Sequence, residues 1–221
     1  MFKDVIGEWP MHERFILTSC DDNYFDQYFP RFYNTYKENW HLPIHVHIID
    51  PSDNSISRLQ ELDLSYTYCT TDPAVLKWPY SYVTYCQAQR FILLGHNLSA
   101  KQSVIVADVD SYALREPTEI QKQTLESDMA FTVYNRRLMA TFCNFHHGQR
   151  VLAKEAAIKM QQLIEDTNTI GVDQLVLKQT FGSLPYNNHT HNEQIRHFDF
   201  KTEEEIKQHN KGFISHEKSK R

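Results

Sequence analysis

Apolar and polar positions change along the first half of the chain in blocks that predict strands and helices in turn. Short apolar runs predict strands, and longer stretches with apolar residues every three or four positions predict helices. The predicted strands cover residues 14–20, 43–50, 64–69 and 104–107, and the predicted helices cover 24–36, 52–62 and 80–98. This alternation predicts an α/β fold, a mostly parallel sheet flanked by helices, in a single domain over residues 1–221.

The second half of the chain is less regular. Apolar runs predict strands over residues 128–134 and 138–145, and a helical pattern covers 149–166. Another helix begins at 171, a loop is predicted by composition over 182–194, and residues 210–221 are polar and mostly basic. In the first helix, Pro30 predicts a kink or a restart, because proline removes a backbone donor and clashes with the preceding turn.

The most informative strand is Val104–Ala107, because two carboxylates follow it, Asp108 and Asp110. Residues two apart in an extended segment point to the same side, so both carboxylates can converge on one point. Two neighbouring anions repel each other unless a cation or a proton lies between them, and a hard divalent ion suits such oxygen ligands. The alternative is that the two aspartates only cap a turn or a helix.

Cys20 and Asp21, at the end of the first predicted strand, are also candidates for the ligand-binding site. Ligands of parallel α/β sheets bind at the carboxyl ends of the strands. Since Cys20–Asp21 and Asp108–Asp110 both follow predicted strands, we expect them to face one crevice.

Composition narrows the function classes. The formal charge is −5, from 23 basic and 28 acidic residues, and no basic, aromatic-rich patch is present, which argues against nucleic acid as a partner. The four cysteines are widely spread without metal-ligand spacing, which predicts buried, reduced thiols and a cytoplasmic protein. The sequence contains neither a secretory signal nor an apolar stretch of membrane-spanning length.

Several segments, in their order along the chain, resemble the GT-A nucleotide-diphosphosugar glycosyltransferases, in the glycogenin-like and galactosyltransferase-like retaining branch. They are Thr-Ser-Cys-Asp-Asp-Asn-Tyr after the first strand, Gln-Arg-Phe at 89–91, Val-Ala-Asp-Val-Asp-Ser at 106–111, Asp-Gln at 173–174 and Ile-Ser-His-Glu-Lys at 214–218. The resemblance covers nearly the whole chain. It implies a GT-A, Rossmann-like domain whose segment 201–221 closes over the donor site.

The resemblance implies a metal site. Asp108 would meet the ribose and the metal, Asp110 would chelate the metal, and His216 would be the third protein ligand. An imidazole beside oxygen ligands suits Mn²⁺ better than Mg²⁺, which is the alternative ion.

The resemblance also implies a set of contacts with a nucleotide-sugar donor, expected to be a UDP-sugar. The uracil and ribose would contact Thr18, Ser19, Cys20, Asp21 and Tyr24. The donor sugar or diphosphate would contact Arg90, and the departing phosphate would contact Lys218. Asp173 and Gln174, which the resemblance implies to be catalytic, would contact the donor sugar and the hydroxyl acceptor.

Each of these residues has an ordinary structural alternative. Arg90 could simply pair with a surface carboxylate, in which case Arg90→Ala would leave the kinetics unchanged. If Arg90 contacts the donor, we expect Arg90→Ala to raise the KM for the donor or lower kcat while stability stays nearly unchanged. Tyr24 could be a core residue, Asp173 a helix cap, and His216 a solvated tail residue. The chain also departs from the family pattern, since the acceptor-binding Asn-x-Gly is matched only loosely around Asn144.

The sequence therefore predicts a metal-dependent glycosyltransferase. Two other classes stay open. A phosphatase of the haloacid-dehalogenase type also uses Asp-x-Asp after an apolar strand, although there the motif normally lies near the N-terminus. The second class is a catalytically silent module that binds a nucleotide sugar or a partner protein.

Overall fold

Strands and helices follow one another in the computed structural model much as the sequence predicts. The structure describes residues 5–73, 76–117, 119–127, 129–134, 137–166, 168–181, 195–198 and 214–216. The strands are β1 (Ile6–Gly7), β2 (Arg14–Asp21), β3 (Ile44–Ile49), β4 (Ser65–Cys69), β5 (Ser103–Ala107), β6 (Ser111–Ala113), β7 (Met129–Tyr134), β8 (Arg137–His146), β9 (Ile195–Phe198) and β10 (Ile214–His216). The helices are α1 (Asp22–Trp40), α2 (Asp53–Glu61), α3 (Ser81–Asn97), α4 (Glu119–Ser127), α5 (Arg150–Asp166) and α6 (Val172–Phe181).

The main sheet has eight strands in the order β1-β4-β3-β2-β5-β8-β7-β9. The four central neighbours β4, β3, β2 and β5 are parallel. Strand β8 then runs antiparallel to both β5 and β7, which makes the sheet mixed. Because β2 and β5 are parallel neighbours, their carboxyl ends lie side by side at one edge of the sheet.

Helices cover both faces of this sheet, as expected for a parallel core. One buried cluster joins α3, α5 and α6 to the sheet, and a second joins α1, α2 and α4 to the opposite face. Strand β5 lies between them, with Val104 through Ala107 completely buried. At the crossing of α3 and α5, a Cβ on Gly95 would lie 2.5 Å from Ala157 Cβ, so only glycine permits this approach.

Helix α1 begins after an Asp21 cap and extends beyond the predicted range 24–36 at both ends. The Asp21 side chain accepts a hydrogen bond from Tyr24 N at 2.8 Å, which satisfies one of the first free amides of the helix. The helix continues through Pro30, so the predicted restart does not occur. We attribute this continuity to the aromatic face on either side of the proline, where Phe29 and Phe32 are buried in one cluster.

Strands β3 and β4 share a buried chain of polar side chains. His45 contacts Ser65 Oγ at 2.9 Å and Thr67 Oγ1 at 3.1 Å through its two ring nitrogens. His47 contacts Thr67 Oγ1 at 2.9 Å and Cys69 Sγ at 3.2 Å. Burial lowers the pKa of each imidazole to about 3, so both rings are neutral inside the sheet.

The remaining predictions of secondary structure have mixed outcomes. The strands and helices predicted over 43–69, 80–98 and 128–166 are found with ends shifted by a few residues. Strands β1, β6, β9 and β10 and helix α4 were not predicted, and each of these strands is at most four residues long. The predicted loop at 182–194 lies outside the described residues. None of the helices in the described ranges is long and apolar enough to cross a bilayer.

Candidate functional site

The two carboxylates after β5 lie on a turn that is fixed from several directions. Asp108 N donates to Thr141 O at 2.9 Å, and the carbonyl oxygen of Asp108 accepts from Ser111 N at 3.0 Å. Ser111 Oγ donates to the same carbonyl at 2.6 Å, so Tyr36, 3.1 Å away, is the donor to Ser111 Oγ. These bonds hold the backbone from which both carboxylates project.

Arg90 is buried against this turn. Its Nη2 lies 2.5 Å from Asp108 Oδ1 and 3.5 Å from Asp173 Oδ2, and it donates to Ala140 O at 3.2 Å. The residue is only 5% exposed. The alternative of a surface ion pair is therefore wrong. Because Arg90→Ala would leave two carboxylates without their buried partner, the structure predicts a loss of stability in this variant instead of an unchanged stability.

Asp173 lies in the first turn of α6 and is also buried. Burial raises the pKa of its carboxyl to about 6, although the charge of Arg90 and backbone hydrogen bonds oppose the shift. Asp173 contacts Arg90 and is not among the residues that line the cavity, whereas its neighbour Gln174 lines the cavity directly. The pair implied to be catalytic is thus divided between the interior and the cavity wall.

A cavity of about 460 Å³ opens over the turn at the strand ends. Its walls come from β2 and α1, from α3, from the turn after β5, and from β8 and α6. The lining residues are Ser19, Cys20, Asp21, Tyr24, Tyr82, Val83, Cys86, Gln87, Arg90, Asp108, Val109, Asp110, Met139, Thr141 and Gln174. The expectation that the ends of β2 and β5 face one crevice is confirmed.

The β2 end of the cavity carries most of the residues assigned to the nucleotide. Tyr24 is half-buried and lines the cavity, and Asp21 both lines it and caps α1. Ser19 Oγ donates to Cys86 O at 3.4 Å. Burial raises the pKa of the Cys20 and Cys86 thiols, so both are neutral parts of the wall. Thr18 is fully buried and is not among the lining residues.

The opposite end of the cavity is formed by residues that the sequence did not identify. Phe131 and Thr132 of β7 pair with Cys143 and Met139 of β8, so residues 140–142 form a bulge. Bulges reorient side chains beside active sites, and here Met139 and Thr141 line the cavity. On α3, the helical spacing of Val83, Cys86 and Arg90 places Gln87 on the same face, which could have identified it. The loosely matched Asn144 donates to Leu125 O instead and is fully buried.

The donor atoms on this wall have the chemistry that a divalent metal requires. Asp108 and Asp110 line the cavity and carry hard oxygen atoms of the kind that divalent cations bind. Within the part of the chain that the structure describes, no cluster of three or more metal-binding side chains occurs. The third implied ligand belongs to β10, whose backbone pairs with β6 so that His216 is opposite Ser111. Lys218 lies outside the described residues.

Comparisons with known proteins support the fold. No protein-family model matches the chain, and no relative was found among curated proteins. Among solved structures, the chain is similar to the galactosyltransferase LgtC, whose crystal structure contains donor and acceptor sugar analogues. The TM-score is 0.60 at 10% identity, over 93% of this chain and 87% of LgtC. The predicted fold class is confirmed: the chain has the mixed α/β, GT-A-like fold of a glycosyltransferase.

Proposed function

We propose that this protein is a metal-dependent glycosyltransferase that transfers a sugar from a UDP-sugar to a hydroxyl acceptor. One observation carries the proposal. A single cavity crosses the ends of β2, β5 and β8, which are neighbours in the sheet, and two carboxylates lie at its middle. A nucleotide-diphosphate sugar is built in a matching order: the nucleoside would lie at the β2 end, the charged diphosphate at the carboxylates and the sugar at the β8 end.

The charge of the cavity wall supports the metal. Asp21, Asp108 and Asp110 face the same space as Arg90, which is already paired with carboxylates. A diphosphate would be repelled by this wall unless a divalent cation accompanied it. Asp108, Asp110 and His216 would hold that cation, for which we propose Mn²⁺. When bound, it would stabilise the negative charge of the departing diphosphate.

The remaining residues have roles that follow from their place on the wall. Tyr24 would stack on the uracil, and Ser19, Cys20 and Asp21 would contact the ribose end. Gln174 would meet the sugar and the acceptor, while Asp173 would orient Arg90 from below. Because Asp173-Gln174 resembles the pair of the retaining branch, we expect retention of the anomeric configuration, which NMR of the product would test.

A thermal-shift titration tests the nucleotide and the metal together. A ligand that binds only the folded state raises stability in proportion to the logarithm of its concentration over Kd. We expect UDP with Mn²⁺ to raise the melting temperature more than GDP or ADP does. An equal or larger effect of GDP or ADP would contradict the uridine assignment.

Variants test the metal ligands. Asp110→Ala should abolish Mn²⁺-dependent UDP binding, whereas Asp63→Ala, at a side chain that is 95% exposed, should leave it unchanged. His216→Ala should weaken metal binding without abolishing it, because water can replace one ligand of a hard cation. His209→Ala, in the same segment of the sequence, is the matched control.

A donor that binds but is neither transferred nor hydrolysed would identify a silent module, and hydrolysis of simple phosphomonoesters would identify a phosphatase.

A further inference from the structure

We propose that the protein docks on the surface of a lipid bilayer through an exposed apolar surface beside the mouth of the cavity. This surface, the apolar rim, is formed by a segment before α3 and by the start of α6. The inference goes beyond the proposed function, because it concerns where the protein lies and not which group it transfers. The residues of the apolar rim are Leu76, Trp78, Tyr80, Ile170 and Leu175.

The apolar rim gathers most of the large apolar side chains that the described residues expose. Nine such side chains are exposed, and the five of the rim, each 40–48% exposed, come from residues 76–80 and 170–175. The other four are spread over β1, the segment before β2, and α5. Single exposed apolar residues are normal on a protein surface, whereas a cluster of them indicates an interaction site.

Hydrogen bonds hold the two segments of the rim side by side. Tyr80 N donates to Asn168 Oδ1 at 3.2 Å, next to the exposed Ile170. Thr84 Oγ1, in the first turn of α3, donates to Thr169 O at 2.8 Å. The backbone of residues 168–170 therefore lies along the start of α3, and the two segments form one surface.

The apolar rim flanks the mouth of the cavity. Tyr82 and Val83, which follow Tyr80 on α3, line the cavity. Gln174 also lines it and precedes Leu175 on α6. A bilayer that contacts the rim would therefore lie beside the cavity opening.

The chemistry of the rim fits the boundary between lipid headgroups and acyl chains better than it fits another protein. Indole and phenol rings combine a large apolar body with a polar tip, so Trp and Tyr are enriched at membrane interfaces. Lys77 stands between Leu76 and Trp78, Lys178 follows Leu175 by one turn, and both lysines are exposed. Lysine is depleted from interfaces between proteins, whereas at a bilayer its apolar stem contacts acyl chains while its ammonium reaches lipid phosphates.

The charge of the protein determines which force must supply the binding. The formal charge of the chain is −5, and two exposed carboxylates, Glu165 and Asp166, end α5 shortly before the rim. Attraction of the whole chain to anionic lipid therefore opposes docking more than it helps. The free energy of docking must come from burial of the apolar side chains, so docking should persist in salt that screens charges.

Flotation with lipid vesicles, in the absence of nucleotide and metal, tests the inference. The vesicles contain phosphatidylcholine with about a quarter of anionic phosphatidylglycerol. We expect the wild-type protein to float with them at about 0.1 M and at about 1 M salt. Trp78→Ala and Tyr80→Ala should each lower the partition coefficient by about 3- to 10-fold, because roughly half of each side chain is left to be buried.

Val151→Ala is the matched control. Val151 is an exposed apolar residue in the first turn of α5, at the opposite end of that helix from the rim. Vesicle binding of this variant should equal that of the wild type. All of these side chains are exposed, so each variant should keep the melting temperature of the wild type, which shows that it is folded.

Tryptophan fluorescence gives an independent measurement. Trp40 is buried, and Trp9 is half-buried with its indole nitrogen donating to Gln102 Oε1 at 3.0 Å. Trp78 is the exposed one of the three tryptophans, so vesicles should shift the emission to shorter wavelength. Trp78→Phe should abolish this shift while the protein still floats.

The outcomes are distinguishable from those of the nucleotide titrations. If the wild type does not float, or if Trp78→Ala and Tyr80→Ala float as the wild type does, the inference is wrong and the proposed function is unaffected. Loss of flotation at high salt would contradict apolar burial as the driving force. Self-association without lipid that Trp78→Ala abolishes would identify a second copy as the partner and would overturn docking on a bilayer.

Discussion

The two histidines buried between β3 and β4 should make the protein sensitive to acid. Their pKa values of about 3 in the folded state lie far below the value of about 6.5 for histidine in an unfolded chain. When pH falls below about 6.5, the unfolded chain binds protons that the folded chain cannot bind. The free energy of unfolding therefore decreases as pH falls, and the contribution of these neutral imidazoles is complete only above that value.

The size of the effect follows from the shifts. Between pH 7 and pH 5, each histidine should remove about 2 kcal/mol of stability. Asp173 acts in the opposite direction, since its pKa of about 6 exceeds the unfolded value, and its protonation in the folded state should restore about 1 kcal/mol. The net loss is about 3 kcal/mol, a large part of the 5–15 kcal/mol that is typical of a folded protein.

Urea unfolding at pH 7, 6 and 5 measures this loss. In His47→Gln, one protonation site is removed, and the loss between pH 7 and pH 5 should be about 2 kcal/mol smaller than in the wild type. His12 is exposed, so His12→Gln should lose as much stability as the wild type. A wild-type loss below about 1 kcal/mol, or the same loss in His47→Gln as in the wild type, would refute the reasoning.

Three further predictions concern the site. Arg90→Met should lower the free energy of unfolding by about 3–5 kcal/mol in a denaturant titration, because Asp108 and Asp173 lose their buried partner; a loss below about 1 kcal/mol would show that the ion pairs are dispensable. Ser111→Ala should weaken Mn²⁺ binding by roughly 2- to 10-fold, measured by EPR titration, because the turn loses a hydrogen bond; Ser111→Thr should restore it. Sugar transfer should decline as pH falls below about 6, because the carboxylate of Asp173 becomes protonated and no longer pairs with Arg90; a pH–rate profile without an acid limb near 6 would contradict this.

Much of the architecture could be predicted because burial leaves a local pattern in the sequence. The apolar run Val104–Ala107 indicated a strand buried on both faces, and its residues are completely buried. Apolar residues at helical spacing over 24–36 indicated α1, which the structure contains over Asp22–Trp40. Short elements such as β6 and β10 gave no signal, since three residues cannot display a period, and they form only through pairing with each other.

The sequence by itself determined which side chains stand at the strand ends, because strand periodicity and the direction of a parallel sheet place Asp21, Asp108 and Asp110 at one edge. Only the tertiary structure decided what those side chains meet. The pairing of Arg90 with Asp173 joins α3 to α6, and the bulge that directs Thr141 into the cavity depends on the register between β7 and β8. Periodicity encodes which face of an element is buried. The identity of the partner on that face is fixed only when elements distant in the sequence pack together, so the β8 end of the cavity could not be predicted before the fold was known.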